Sequence, residues 1–317
     1  MPELPDVLVY IDALQRTVVG KSPEKIRISS PFLLRTFDPP IEAIEGRTLL
    51  AIERIGKRFV FDFGPIAPGE TDEFLNNRYF VVIHLMIAGR WRWSPKPNEK
   101  PIGKVGLAAF NFENGTLHLV ESSPKKRASM HIVQGRIGLK HFDRGGLDVL
   151  NCSLDEFSNR LRSENHTLKR SLTDPKLFDG IGNAYSDEIL HAAQLSPVKL
   201  TKRLTDDENA RLHEQAKKQL IHWTKLIGEK FTKKFPGPGD ITAFRPEMAV
   251  HGKFGEPCPA CGTIVQRIVY SENECNYCPR CQTGGKLLAD RTMSRLLKDD
   301  WPKTIDELED QSNGRIL

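Results

Sequence analysis

Two groups of residues have types and spacings that can do chemistry. Cys258-Pro-Ala-Cys261 is followed, after sixteen residues, by Cys278-Pro-Arg-Cys281. Two Cys-x-x-Cys knuckles offer four thiolates, the donor set of tetrahedral zinc, and filling all four positions makes such a metal structural rather than catalytic. Between the knuckles, 263–270 and 274–277 read as the arms of a β-hairpin. Cys275 lies in the same stretch and also makes a Cys-x-x-Cys pair with Cys278, so it is either an extra hairpin thiol or an alternative ligand. The second group is Met1-Pro2-Glu3-Leu4-Pro5-Asp6. The small Pro2 permits removal of Met1, which exposes a secondary amine with an ordinary pKa of about 8, partly uncharged at neutral pH. Such an amine can attack a sugar C1′ or an aldehyde and form an iminium ion, an electron sink for elimination. Glu3 is placed to donate and accept the protons. Taken singly, each group has a plain alternative: a protein-binding zinc module and a solvated chain end.

These residues need a scaffold. The chain has 317 residues, 46 basic and 41 acidic, for a net charge of +5, with 39% hydrophobic and 27% charged side chains. That is globular composition, enough for about two or three domains. No run approaches the ~20 apolar residues of a membrane span, and acids stand where a signal peptide carries positive charge. Five of the six cysteines fall within 24 positions, which suits metal in a reducing compartment better than a disulfide scaffold. Up to about Arg144 the pattern is mainly that of strands: 49–52, 58–63, 79–85 and 91–93, with an Asn-Gly hairpin signal at Glu113-Asn114-Gly115-Thr116. A β-sandwich or barrel follows, preceded by a helix near residues 5–18.

After Asn151 the period becomes helical. Helices are expected at 155–163 and from Thr167, and Thr205-Asp206-Asp207-Glu208 is a capping box opening a long one. In it Leu212, Ala216, Leu220, Trp223 and Ile227 form one apolar stripe, ended before Lys234-Phe235-Pro236-Gly237. A short helix is expected around Leu288, Met293, Leu296 and Leu297. From Ser122 to Gly145, Lys125, Lys126, Arg127, Arg136, Lys140 and Arg144 face a single acid, Asp143, a local net charge of +5. Phosphate neutralisation needs such clusters, although a solvated face also carries them.

The order of Pro2-Glu3-Leu4-Pro5, Gly56-Lys57-Arg58, Lys169 before Leu172-Thr173-Asp174, Asp179-Gly180-Ile181-Gly182-Asn183-Ala184-Tyr185 and the zinc knuckles closely resembles the formamidopyrimidine-DNA glycosylase and endonuclease VIII family over about residues 2–282. The resemblance implies a multidomain α+β fold: an N-terminal helix plus β-sandwich catalytic domain (1–145), a helix–two-turns–helix DNA-binding domain (146–250), a zinc-finger hairpin (251–282) and a C-terminal extension (283–317). It implies a base-excision-repair glycosylase with lyase activity, acting on double-stranded DNA that contains a damaged, oxidised base or an abasic site. Pro2 would be the nucleophile, forming a Schiff base before β/δ-elimination, Glu3 the general acid and Lys57 a phosphate contact at the lesion. Lys126, Arg127, Lys169, Asn183 and Asn273 would also face DNA, and Cys258, Cys261, Cys278 and Cys281 would hold one structural Zn²⁺. A monomer in the bacterial cytoplasm, associated with the nucleoid, is expected.

The chain departs from the family pattern in four places. Ile87, after His84-Leu85-Met86, stands where the family has a Met following His-Leu-Gly, and Pro124-Lys125-Lys126-Arg127 where an Arg-Phe pair is expected; those residues fill the hole left by a flipped base. Asn273 replaces a phosphate-gripping Arg at the hairpin tip, leaving Arg267 and Arg280 as nearby donors. Asp6 replaces a Glu, and 235–248 lacks the pattern of a lid for 8-oxoguanine. These departures also leave open a catalytically weak or inactive damage-binding protein on the same scaffold. In the extension Lys286, Arg291, Arg295 and Lys298 offer DNA contacts, while its apolar residues offer packing.

Overall fold

The structure, a computed structural model, describes residues 1–64, 78–270, 273–289 and 302–313, the side chains of 270, 273 and 311–313 excepted. The chain forms two compact units, Met1–Gly145 with Trp223–Ala243, and Gly146–His222 with Phe244–Leu317.

The first unit opens with α1 (Leu4–Val18), which buries Val7, Tyr10, Ile11, Leu14 and Val18 at helical steps. Glu3 is its N-cap and Pro5 sits in the first turn, where a missing N–H has no helical partner to lose. The Asp6 carboxylate accepts the Glu3 N–H at 3.0 Å and closes a capping box. Two four-stranded antiparallel sheets follow. One runs β1 (Lys25–Ile28), β6 (Gly106–Phe112), β7 (Gly115–Glu121), β5 (Gly89–Ser94); the other runs β2 (Leu49–Ile55), β3 (Arg58–Phe63), β4 (Tyr79–His84), β8 (Ser129–Gln134). Trp91 of β5 stacks on Phe61 of β3 at 5.6 Å and meets Phe59 edge-on at 5.9 Å, and Tyr10 of α1 reaches Phe59 at 6.1 Å. These rings join the two sheets and the helix in one core, as the strand pattern predicts for a sandwich.

Two details differ from the expected pattern. The Asn-Gly hairpin turns one residue early: Phe112 pairs with Gly115, so Glu113 and Asn114 form the loop. A Cβ on Gly115 would lie 2.3 Å from the Ser94 carbonyl oxygen, and its φ is +152°, so this glycine serves close approach of β7 to β5. Strands β6 and β7 are buried on both faces. Their buried polar groups are met by the preceding loop: Asn111 Nδ2 donates to the Glu99 carbonyl at 3.0 Å, and His118 Nε2 lies 3.1 Å from the Glu99 carboxylate.

The second unit is helical and ends in the zinc hairpin. Helix α2 (Leu154–Arg162) is capped by Ser153 and Glu156, and α3 (Leu168–Thr173) and α4 (Asn183–Ala192) flank the glycine turn. Helix α5 (Asp206–Gly228) opens on the predicted box, with Glu208 N donating to Thr205 Oγ1 at 3.2 Å and Thr205 N to the Glu208 carboxylate at 3.0 Å. Its stripe, Leu212 to Ile227, is buried throughout; the part up to His222 belongs to the second unit and the rest to the first. Strands β9 (Gln266–Tyr270) and β10 (Asn273–Tyr277) form the hairpin, followed by α6 (Pro279–Thr283) and α7 (Ile305–Asn313). The extension returns to this unit: Leu287 N donates to the Lys303 carbonyl, Ile305 N to that of Gly285, and Leu288 N to the Tyr277 hydroxyl at 2.8 Å. Ile305 is buried, so this part of the extension packs on the unit. Met293, Leu296, Leu297, Arg291, Arg295 and Lys298 lie outside the described residues.

Candidate active site and metal centre

In the first unit the N-terminal residues are drawn inward by α1. Pro2, Glu3 and Asp6 are all buried. Burial lowers the pKa of the terminal amine, here that of Met1, because the charged form loses water. Glu3 and Asp6 oppose this shift, and the cations of Arg90 and Lys57 assist it. The amine, two carboxylates, a guanidinium and an ammonium therefore share one electrostatic neighbourhood.

Lys57 gets there by a tight turn. Ile55 pairs with Arg58, so Gly56 and Lys57 form a two-residue hairpin loop, and Gly56 has the positive φ, +63°, that such a loop requires at its first position. Arg58 pairs with His84 across β3 and β4. Burial, with Arg58, Lys57 and Arg144 nearby, holds His84 down at about 4, so its imidazole is neutral at physiological pH. The unfolded chain takes up this proton near the ordinary value and the folded chain only near 4. His84 therefore makes the fold lose stability as pH falls through about 6.5 to about 4. Replacing His84 by Asn is expected to shrink the difference between urea unfolding free energies at about pH 7 and about pH 5; an undiminished difference contradicts this reading.

The loop after His84 carries Ile87, which is 55% exposed. Met86 holds a left-handed backbone, φ +53°, where side chains are strained and glycine is at ease. That backbone suits the family's His-Leu-Gly-Met run and supports the alignment of Ile87 with the family Met. Arg90 pins the loop: its guanidinium donates to the carbonyls of Ile87 at 3.0 Å, Gly89 at 2.7 Å and Ile241 at 2.8 Å. A cavity of about 280 Å³ lies here, lined by Ile87, Arg90, Arg92, Val105, Val120 and Pro238 among others.

The basic stretch is not one patch. Lys126 donates through Nζ to the Glu121 carbonyl, and the buried Glu121 carboxylate accepts the N–H groups of Arg127 and Ala128, while the Arg127 side chain is exposed. Arg136 pairs with Glu53 at 2.6 Å and covers Phe80. Arg144 instead reaches the His84 neighbourhood. His84, Arg58 and Arg90 were missed as site residues in the sequence because their roles come from partners across the sheet, with no spacing to mark them.

In the second unit Gly180 takes φ +81° and Gly182 caps α4, as the glycine turn predicts. Lys169 and Asn183 come together: Lys169 Nζ donates to the Asn183 carbonyl at 2.6 Å. Its ammonium also pairs with Asp187 at 2.6 Å, and Asn183 Nδ2 donates to the Glu274 carbonyl at 2.9 Å. Asn273 opens β10 opposite Tyr270; its side chain lies outside the described residues. Arg267, one of the nearby donors, pairs with Glu274 at 3.3 Å and stacks over Phe254 at 4.4 Å. Arg280 faces Asp306 at 3.9 Å.

The four sulfurs of Cys258, Cys261, Cys278 and Cys281 lie within 4.8 Å of one another, with Cys258–Cys281 at 4.0 Å and Cys261–Cys278 at 3.4 Å. Four thiolates around zinc at ~2.3 Å stand ~3.8 Å apart, so the donors fit that ion and leave no open position. His191 Nε2 lies 3.3 Å from the Cys258 sulfur. Cys275 is outside the quartet: it is buried on β10, and burial, with the Asp187 charge nearby, pushes its thiol pKa up.

The comparisons with known proteins agree with this layout. Residues 1–128 match the formamidopyrimidine-DNA glycosylase N-terminal domain, 148–229 its H2TH domain, and 255–284 the zinc finger found in FPG and IleRS. An uncharacterized formamidopyrimidine-DNA glycosylase-like protein of Mycobacterium tuberculosis is 39% identical over 153 residues, 48% of this chain and 94% of that protein. The chain belongs to the formamidopyrimidine-DNA glycosylase family. A formamidopyrimidine-DNA glycosylase of Exiguobacterium sibiricum is 28% identical over 289 residues, 89% of this chain and 99% of its own. Among solved structures, Lactococcus lactis Fpg (MutM) in complex with DNA containing N7-benzyl-Fapy-dG matches with a TM-score of 0.76 and 25% identity, over 89% of this chain and all of that one. The same Fpg in complex with DNA containing an oxidized pyrimidine matches at 0.75 and 26%, over the same shares. The family zinc finger and the sulfur geometry together give this Fpg-family chain one structural zinc. Among the described residues, no helix is long and apolar enough to cross a membrane.

Proposed function

We propose that this Fpg-family chain is a base-excision-repair DNA glycosylase with AP lyase activity, acting as a monomer on duplex DNA that carries an oxidised base or an abasic site. The observation that carries the reading is the burial of Pro2 and Glu3 together at the head of α1, with Asp6, Arg90 and Lys57 in the same electrostatic neighbourhood. Once Met1 is removed, the Pro2 nitrogen occupies the chain end. Its lone pair bonds to C1′ of the damaged nucleotide as the base leaves with the glycosidic electron pair. Glu3 protonates the sugar O4′ as the C1′–O4′ bond breaks, giving an iminium ion. Loss of a C2′ proton then expels the 3′ phosphate, and a second elimination expels the 5′ phosphate. Burial of this end of the chain disfavours the charged form of an amine there, which favours the nucleophilic, unprotonated form.

Lys57 and its neighbours Arg58 and Arg144 bind the phosphates at the lesion, with His84 as a neutral partner. Ile87 is the wedge that fills the vacated stack, on a loop fixed by Arg90. Lys126, Arg127, Lys169, Asn183 and Asn273 contact the backbone of the duplex, with 1–145 as catalytic domain, 146–250 and 251–282 as DNA-binding domains and 283–317 as packing.

The test is a panel of duplexes, each with one defined lesion, scored for base release and for a covalent adduct trapped by borohydride. Release from at least one oxidised base, with trapping on an abasic duplex, is expected. Tight lesion binding without release or trapping contradicts the reading and favours a damage-binding protein.

A further inference from the structure

Asp187 gathers three polar partners in the second unit, and the proposed chemistry gives it no role. It is wholly buried on α4, one turn after Asn183. One oxygen accepts Lys169 Nζ at 2.6 Å; the other lies 2.7 Å from His251 Nδ1 and accepts the Asn276 N–H at 3.2 Å. The buried Cys275 thiol lies close by, its pKa raised by burial and by the Asp187 charge. Lys169 belongs to α3, whereas Asn276 and Cys275 belong to β10 and His251 precedes the first zinc knuckle. The next residue, Glu188, accepts the N–H groups of Ala249, Val250 and His251 at 2.8 to 2.9 Å. Two adjacent side chains of α4 thus hold the hairpin and its approach segment.

The donor count of Lys169 is informative. An ammonium has three N–H groups. One goes to the Asn183 carbonyl and one to Asp187, which leaves one on a side chain that is 14% exposed. The carboxylate holds Lys169 in one orientation and cancels its charge. What remains to offer DNA is a single aimed N–H, of the charge-assisted kind that is strong and directional.

We infer that Asp187 is a positioning residue that aims the last N–H of Lys169 at a DNA phosphate and makes that aim depend on the zinc hairpin, whose His251 and Asn276 fix the carboxylate. The inference rests on the proposed phosphate contact of Lys169.

The test is a double-mutant cycle on the zinc-loaded full chain with D187N, K169M and K169M/D187N. The readout is preference, the Kd for an undamaged duplex divided by that for a duplex with a tetrahydrofuran abasic analogue, with zinc per chain measured alongside. D187N and K169M are each expected to lower preference by about tenfold or more, the loss typical of a misdirected charge-assisted bond. The double variant should match K169M within about twofold, since Asp187 then has no lysine left to aim. D187N with unchanged preference, or losses that multiply in the double variant, overturn the inference. Unchanged preference in K169M overturns the Lys169 contact itself, and this inference with it. If D187N unfolds or loses zinc because a buried lysine is left unpaired, K169M/D187N, which removes both charges, decides: equality with K169M supports the inference and a further loss overturns it.

Discussion

Replacing Glu3 by Gln is expected to slow release of a damaged base by about a hundred- to ten-thousandfold, the range lost when a positioned general acid is removed. Glu3 is a buried N-cap in the electrostatic neighbourhood of the terminal amine, where the proposed reaction needs a proton donor to the sugar. Gln keeps the shape, and the cap made by the Glu3 N–H to Asp6 is a backbone contact that survives the exchange. Cleavage of a preformed abasic duplex should fall much less, because its hemiacetal sugar opens spontaneously to a minor aldehyde form that the amine can attack without Glu3 protonating O4′. Single-turnover rates on a lesion duplex and an abasic duplex measure the two effects. Equal losses on both would place Glu3 in folding or binding, and no loss on the lesion duplex would remove it from the chemistry.

Loss of zinc should be as severe. A structural zinc contributes its binding energy to folding, on the order of 10–16 kcal/mol in isolated zinc-finger peptides at neutral pH. The apolar cluster at the knuckles is small: Val250 and Val265 are buried with Cys258 and Cys278. A strong chelator, or Cys278→Ala, should unfold the hairpin, release α7 and the segment at Ile305 from it, and abolish DNA binding, with zinc restoring the wild type. Cys275→Ser should keep one zinc per chain, because Cys275 lies outside the sulfur cluster. Amide exchange at 255–284 and metal content report the outcome. Full protection without zinc, or loss of zinc from Cys275→Ser, contradicts the assignment.

The legible parts of this chain are those whose partners lie close in sequence. The cysteine quartet, the Thr205–Glu208 box, the stripe from Leu212 to Ile227 and the Gly180–Asn183 turn all encode their geometry within a few residues, and each is found where the spacing places it. Parts set by distant partners were illegible. His84 is neutral because the fold buries it and sets Arg58 and Lys57 beside it, Arg90 is held by carbonyls as far away as Ile241, and Asp187 gathers partners from 169, 251 and 276. Composition alone does not place the members of the basic stretch: Lys126 also donates to the Glu121 carbonyl, Arg136 pairs with Glu53 on the surface, and Arg144 lies near His84. Helix α7 was missed although Thr304 and Glu307, which bond across its first turn at 3.2 Å, are a local signal.

The Pro2 amine as nucleophile is tested most directly by locating the borohydride-trapped adduct. Wild-type protein should be trapped on an abasic duplex, digested and mapped by mass spectrometry. The modified peptide should begin at Pro2, lack Met1 and carry the sugar fragment on the proline nitrogen. A sugar carried by a lysine side chain, or by the amine of a retained Met1, would contradict that assignment.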